Sequence, residues 1–145
     1  MKIQRYAFNK IVRDKMTEVV KRHDITLYGT ILDDTPFILE LLTRKLLSEA
    51  QEFIHATSRE NQIEELADLL EIIYSAAHIS GITLDEVESV RLNKAAQQGS
   101  FIKKLYITHA QTPRNSLGHH YYLANLYKHP EVKRFSKKYK LSRAL

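Results

Sequence analysis

Glu49 and Glu52 stand three residues apart, and so do Glu65 and Asp68. On a helix, positions three apart share a face with about 5 to 6 Å between Cβ atoms, so each pair would point two carboxylates the same way. Four carboxylates brought together repel one another unless cations sit among them, and hard oxygen donors of this kind suit Mg²⁺ or Mn²⁺. The alternative is ordinary surface charge on amphipathic helices, where glutamate is a common residue. Asp68 weighs against it. Aspartate is a weak helix former, here set among Ala67, Leu69 and Leu70, and an unpaired buried carboxylate is costly. A metal would remove that penalty.

The elements that must position these acids are legible from their punctuation. A first helix is expected from about Val12 to His23. The second begins after Asp33-Asp34-Thr35-Pro36, where Asp34 or Thr35 can cap free amides and Pro36 has no amide to lose. It runs to about Thr57, with Phe37, Ile38, Leu41, Leu42, Leu46, Ala50, Phe53 and Ile54 recurring at steps of three and four. The third starts after Thr57 or Ser58, where Thr57-Ser58-Arg59-Glu60 has capping-box spacing, and ends at Gly81. Its centre from Leu66 to Tyr74 is apolar nearly all round, as in a helix packed on several sides. The fourth opens on a second capping box, Thr83-Leu84-Asp85-Glu86, and stops near Gly99. Short links on either side of the third helix make antiparallel neighbours. About the turn at Ser58, Glu52 and Glu65 fall at one height, and Glu49 and Asp68 at another.

The fold class expected is therefore all-α, an antiparallel bundle of about four core helices. Two β-rich stretches, Ile25 to Leu32 and Phe101 to Thr108, either pair as a short ribbon or run extended over the bundle. From His109 to His120 the chain reads as a loop, followed by a short helix around Tyr121 to Tyr127. One domain is expected, with residues 1–108 as its helical body and residues 109–145 as a loop and basic extension.

Composition narrows the chemistry further. The 145 residues include no cysteine, which excludes disulfides, thiolate zinc sites and a cysteine nucleophile. No window approaches the roughly 18 apolar residues that span a bilayer, so a soluble, cytoplasmic protein is expected. The net charge of +5 is a property of one end. From Lys128 onward seven Lys or Arg face Glu131 alone, while the remaining 127 residues carry 15 basic and 16 acidic side chains. The seven histidines form no convincing ligand spacing, and His78 reads as a core or interface residue.

Several segments, in order, carry a family resemblance. Asn9-Lys10-Ile11-Val12-Arg13-Asp14-Lys15, Lys45-Leu46-Leu47-Ser48-Glu49-Ala50-Gln51-Glu52-Phe53, Glu64-Glu65-Leu66-Ala67-Asp68-Leu69-Leu70-Glu71 and Lys94-Ala95-Ala96-Gln97-Gln98-Gly99-Ser100-Phe101 resemble the motifs of the MazG-like all-helical NTP pyrophosphohydrolases, a group that includes phosphoribosyl-ATP pyrophosphohydrolase. The likeness covers roughly residues 6 to 108. Ser48, Gln51 and Gln98 depart from it, standing where the family commonly has Glu, Glu and Arg.

The resemblance implies cleavage of a nucleoside triphosphate between the α and β phosphates, giving the monophosphate and pyrophosphate. It implies Glu49, Glu52, Glu65 and Asp68 as metal ligands, with Glu49 or Glu52 alternatively orienting the attacking water as general base. Lys10, Arg13 and Lys15, with Arg91, Asn93 and Lys94, are the candidates to meet the polyphosphate. Mg²⁺ is the expected cofactor, with Mn²⁺ as substitute, and a homodimer or higher homo-oligomer the expected assembly. Phosphoribosyl-ATP itself is the less favoured substrate, since the N-terminal signature points to another branch. The rival reading is a nucleic-acid-binding helical module, or a catalytically quiet scaffold, using the basic tail.

Overall fold

In a computed structural model, which describes residues 3–131, the chain is all-helical as expected. Its helices are α1 (Met16–Lys21), α2 (Thr35–His55), α3 (Arg59–Ile79), α4 (Leu84–Gln98) and α5 (Leu117–Ala124), with one 3-10 turn at Phe101–Lys103. The chain divides into two compact units that part between Gln97 and Gln98. No strand forms among the described residues. The two β-rich stretches find no ribbon partner, and Ile25 to Leu32 runs without regular structure. Of the basic tail, Lys133, Arg134, Lys137, Lys138, Lys140 and Arg143 lie outside the described residues.

Side-chain capping decides where the long helices begin. Asp34 accepts a hydrogen bond from the Phe37 amide at 3.0 Å, and Pro36 sits in the first turn of α2. Ser58 accepts from the Asn61 amide at 3.1 Å and so caps α3. The box expected from Thr57 to Glu60 is thereby replaced by a cap one residue later. The second box forms in full: Glu86 accepts from the Thr83 amide and hydroxyl at 2.7 Å each, and its own amide donates back to the Thr83 hydroxyl at 3.2 Å. These bonds hold the Glu86 carboxyl below the usual glutamate range. α3 ends in a Schellman arrangement, with the Gly81 amide on the His78 carbonyl and the Ile82 amide on the Ala77 carbonyl. Gly81 has φ +69, a left-handed conformation in which a side chain would be strained.

α1 is shorter than the helix expected from about Val12 to His23. Its N-cap is Lys15, whose side chain makes no capping hydrogen bond, and a lysine has no acceptor to offer one. Arg13 is thus left on non-helical backbone. In the second unit, α5 starts earlier than expected, because Ser116 caps it by accepting from the His119 amide at 3.2 Å.

α2 and α3 pack antiparallel and are, among the described residues, the one helix pair in extensive contact. Between them lies a very small core: Leu42, Ile72 and Ala77 are the apolar residues buried among those described. Leu66, Leu70, Ile73 and Tyr74 of α3 remain roughly half exposed, as do Val90 and Leu92 of α4. The all-round apolar character of α3 is therefore not used up among the described residues.

Candidate metal centre

The connection between α2 and α3 is only Ala56, Thr57 and Ser58, so the two helices run back along each other and their acids are brought face to face. Glu49 of α2 and Glu65 and Asp68 of α3 each offer a carboxylate oxygen, and the three oxygens lie within 4.8 Å of one another. Glu49 is 6% exposed, the one charged residue buried among those described. Glu65 has an oxygen, Oε2, that is buried and has no hydrogen-bond partner. Burial, then a hydrogen bond with Glu49, then the charges of Glu52, Glu49 and Asp68 hold the Glu65 carboxyl above the usual glutamate range.

Glu52 is the acid that stands aside. Its Oε1 accepts a hydrogen bond from the Ser48 hydroxyl at 3.1 Å. Its charge is nevertheless felt at Glu65, which places it beside the converging three. An ionised glutamate at position 48 has no proton to donate, so this tether depends on the serine that departs from the family pattern.

Two cations already lean on the cluster. Lys45 Nζ donates to Glu49 Oε1 at 2.5 Å across one helical turn. Arg13 forms an ion pair with Asp68 Oδ1 and lies 3.8 Å from Glu71 Oε2. Arg13 is thus joined to the site that the sequence pattern associates with it. Lys45 and Glu71 were not singled out by that pattern, although Lys45 stands four residues before Glu49, the ordinary spacing of a helical ion pair.

The remaining basic candidates are placed elsewhere. Arg91 gives two hydrogen bonds of 2.6 Å to Glu88 on its own helix, an ion pair that holds the Glu88 carboxyl below its ordinary range. Lys10, Lys15, Asn93 and Lys94 are exposed. Among the described residues none of these five makes an ion pair with the carboxylate cluster. His78, expected in a core or an interface, is exposed and lines an open groove with Glu71, Tyr74 and Thr83.

Three hard oxygen donors, one of them holding a buried oxygen without a partner, fit a divalent cation of the magnesium type. The sequence matches the profile of the phosphoribosyl-ATP pyrophosphohydrolase family over residues 6–94, and the chain belongs to that family, within the MazG-like superfamily. Membership implies hydrolysis of a phosphoanhydride with pyrophosphohydrolase chemistry. No curated protein and no solved structure matches the chain. The matched segment contains all four acids, the basic candidates from Lys10 to Lys94 and the N-terminal run from Asn9 to Lys15.

Proposed function

We propose that the chain is a Mg²⁺-dependent nucleoside triphosphate pyrophosphohydrolase that cleaves between the α and β phosphates, releasing a nucleoside monophosphate and pyrophosphate, with nucleotide-pool house-cleaning as its role. The observation that carries this reading is the convergence of Glu49, Glu65 and Asp68 around the unpartnered Glu65 Oε2. Those three residues would hold the cation, which supplies neutralisation of the phosphate charge and a lowered pKa for the attacking water.

The chain's own side chains supply the rest. Glu52, beside the cluster and oriented by Ser48, takes the proton from the water as its oxygen bonds to phosphorus and the bond to the pyrophosphate oxygen breaks. Arg13, on the rim next to Asp68, offers a planar guanidinium to the polyphosphate, with Lys10 and Lys15 on the same segment. The catalytic body is residues 1–108, and residues 109–145 are an extension to it.

Assembly as a homodimer, in the cytoplasm, belongs to the same reading. An apolar groove between α2 and α3, lined by Leu39, Leu42, Leu46, Ile72 and Ala76, and the exposed apolar residues of α3 and α4 ask for a partner surface. A second copy would also give α4, with Arg91, Asn93 and Lys94, the helix packing that it lacks among the described residues.

The test is a panel of nucleotides, ordinary and damaged, assayed for pyrophosphate release with Mg²⁺ and with Mn²⁺. Some member should be cleaved, and Glu49→Ala and Asp68→Ala should each lower the rate by at least about a hundredfold, since even outer-shell partners of a metal cost 10- to 100-fold. If both variants keep full activity, the site is wrongly assigned.

A further inference from the structure

Arg13 is held by a contact that reaches across 55 positions of the chain to Asp68. Asp68 is one of the three acids that would ligate the cation. The guanidinium sits on one oxygen of this ligand while its other side faces Glu71. Lys45, by contrast, reaches Glu49 from four residues away on the same helix, so helix geometry alone keeps it near. Arg13 has no such anchor: it precedes α1, on backbone that is neither helix nor strand, and its side chain is 56% exposed.

We infer that Arg13 is a stand-in cation: it neutralises Asp68 while the metal site is empty, gives up that place when a divalent ion enters, and moves onto the phosphates of the incoming nucleotide. This rests on the metal-dependent reading above. The physical argument is competition for one oxygen. A guanidinium and a dication on the same carboxylate repel each other, and the dication makes the closer contact, at about 2.1 Å for Mg²⁺. Triphosphate oxygens arriving with the ion offer the displaced guanidinium a stronger partner than a half-exposed carboxylate. The side chain can make the exchange because it is exposed and belongs to a segment without regular structure. Metal and nucleotide thus reset the position of the N-terminal segment, and empty sites are kept from presenting bare acids to other cations.

Two measurements on the full-length chain decide it. The first is Mn²⁺ binding without nucleotide, followed by the electron paramagnetic resonance signal of the free ion, for wild type, Arg13→Gln and Arg13→Lys. A competitor's removal tightens binding, so Arg13→Gln should bind Mn²⁺ about two- to fivefold more tightly, the range of an exposed ion pair, with Arg13→Lys between. The second is the KM of the best nucleotide at saturating Mn²⁺, which should rise about tenfold in Arg13→Gln for the loss of a charge-assisted contact. Opposite signs in the two measurements are a signature that a merely structural role would not produce. Unchanged or weaker Mn²⁺ binding by Arg13→Gln, in a variant whose circular dichroism matches wild type, overturns the inference and makes Arg13 a fixed outer-shell support. Wild type that binds no Mn²⁺ overturns the metal reading itself.

Discussion

Replacing Lys45 by methionine keeps the aliphatic stem and removes the one charge that meets Glu49 at 2.5 Å. The Glu49 side chain is 8% exposed, so the variant leaves a buried carboxylate among other acids with no cation on it. Breaking a fully buried ion pair from one side costs about 3 to 5 kcal/mol. Lys45 is itself 34% exposed, so water already screens part of the pair, and about 1 to 3 kcal/mol is the appropriate range. For a chain of 145 residues each kcal/mol moves the melting temperature by roughly 2 to 4 °C. Lys45→Met should therefore melt about 3 to 10 °C below wild type at neutral pH in the presence of a chelator. Saturation with Mn²⁺ should return more to the variant than to wild type, because the ion takes over the role of the missing ammonium. At a hundredfold excess over Kd the gain is about 2.7 kcal/mol. Thermal melts by circular dichroism, with chelator and with Mn²⁺, measure both quantities. If the variant melts with wild type, or if Mn²⁺ raises the two equally, then Lys45 is not what makes the burial of Glu49 tolerable.

Three further outcomes are expected. The folded Glu65 carboxyl holds its proton more tightly than in the unfolded chain, so its contribution to stability is present at low pH and lost as pH rises through the raised value. Metal-free Glu65→Gln should accordingly melt above wild type at neutral pH and converge with it in acid, and its Mn²⁺ binding should be lost; wild-type Mn²⁺ affinity should fall as pH drops through the same value. Thr83→Ala removes the hydroxyl of the α4 capping box and should cost about 1 kcal/mol, seen as a melting temperature lower by roughly 2 to 4 °C, with Thr83→Ser retaining most of it. Leu70→Glu, at a position 51% exposed in the single chain, should leave helix content unchanged yet convert a dimer mass to a monomer mass by light scattering; a variant that keeps the wild-type mass would place the interface elsewhere.

The helices that hold the site were legible because their starts and stops are local chemistry. Asp34, Ser58, the Thr83–Glu86 box and Gly81 are each read from a few neighbouring residues, and each does in the fold what its side chain or backbone freedom suggests. The shared face of Glu65 and Asp68 follows from helical spacing in the same way. What spacing could not supply is rotation and competition. Glu52 has the right interval and height, yet a hydroxyl one turn back holds its carboxylate. Arg91 lies within the stretch that matches the family, yet Glu88 three residues earlier engages its whole guanidinium edge. The β-rich stretches mislead for a related reason: β propensity is expressed only where a neighbouring strand completes the ladder. Arg13 is the opposite case, a residue whose contact is distant in sequence and was found through the resemblance.

The short Ala56–Ser58 turn bears on how the site comes into being during folding. The segment from Glu49 to Asp68 is a local loop, and a loop of about half its length closes in on the order of 10 to 100 ns. A hairpin with so little chain to gather forms among the earliest of native contacts, and its three acids face one another as soon as it does. The link from Arg13 to Asp68 encloses 55 positions and closes at greater entropic cost. The acids are therefore expected to assemble before their long-range counter-charge arrives. If the proposed cation site is real, divalent ions present in the interval between would link the two helices of the hairpin through Glu49, Glu65 and Asp68, and the refolding rate should then rise with Mn²⁺ as well as the final stability.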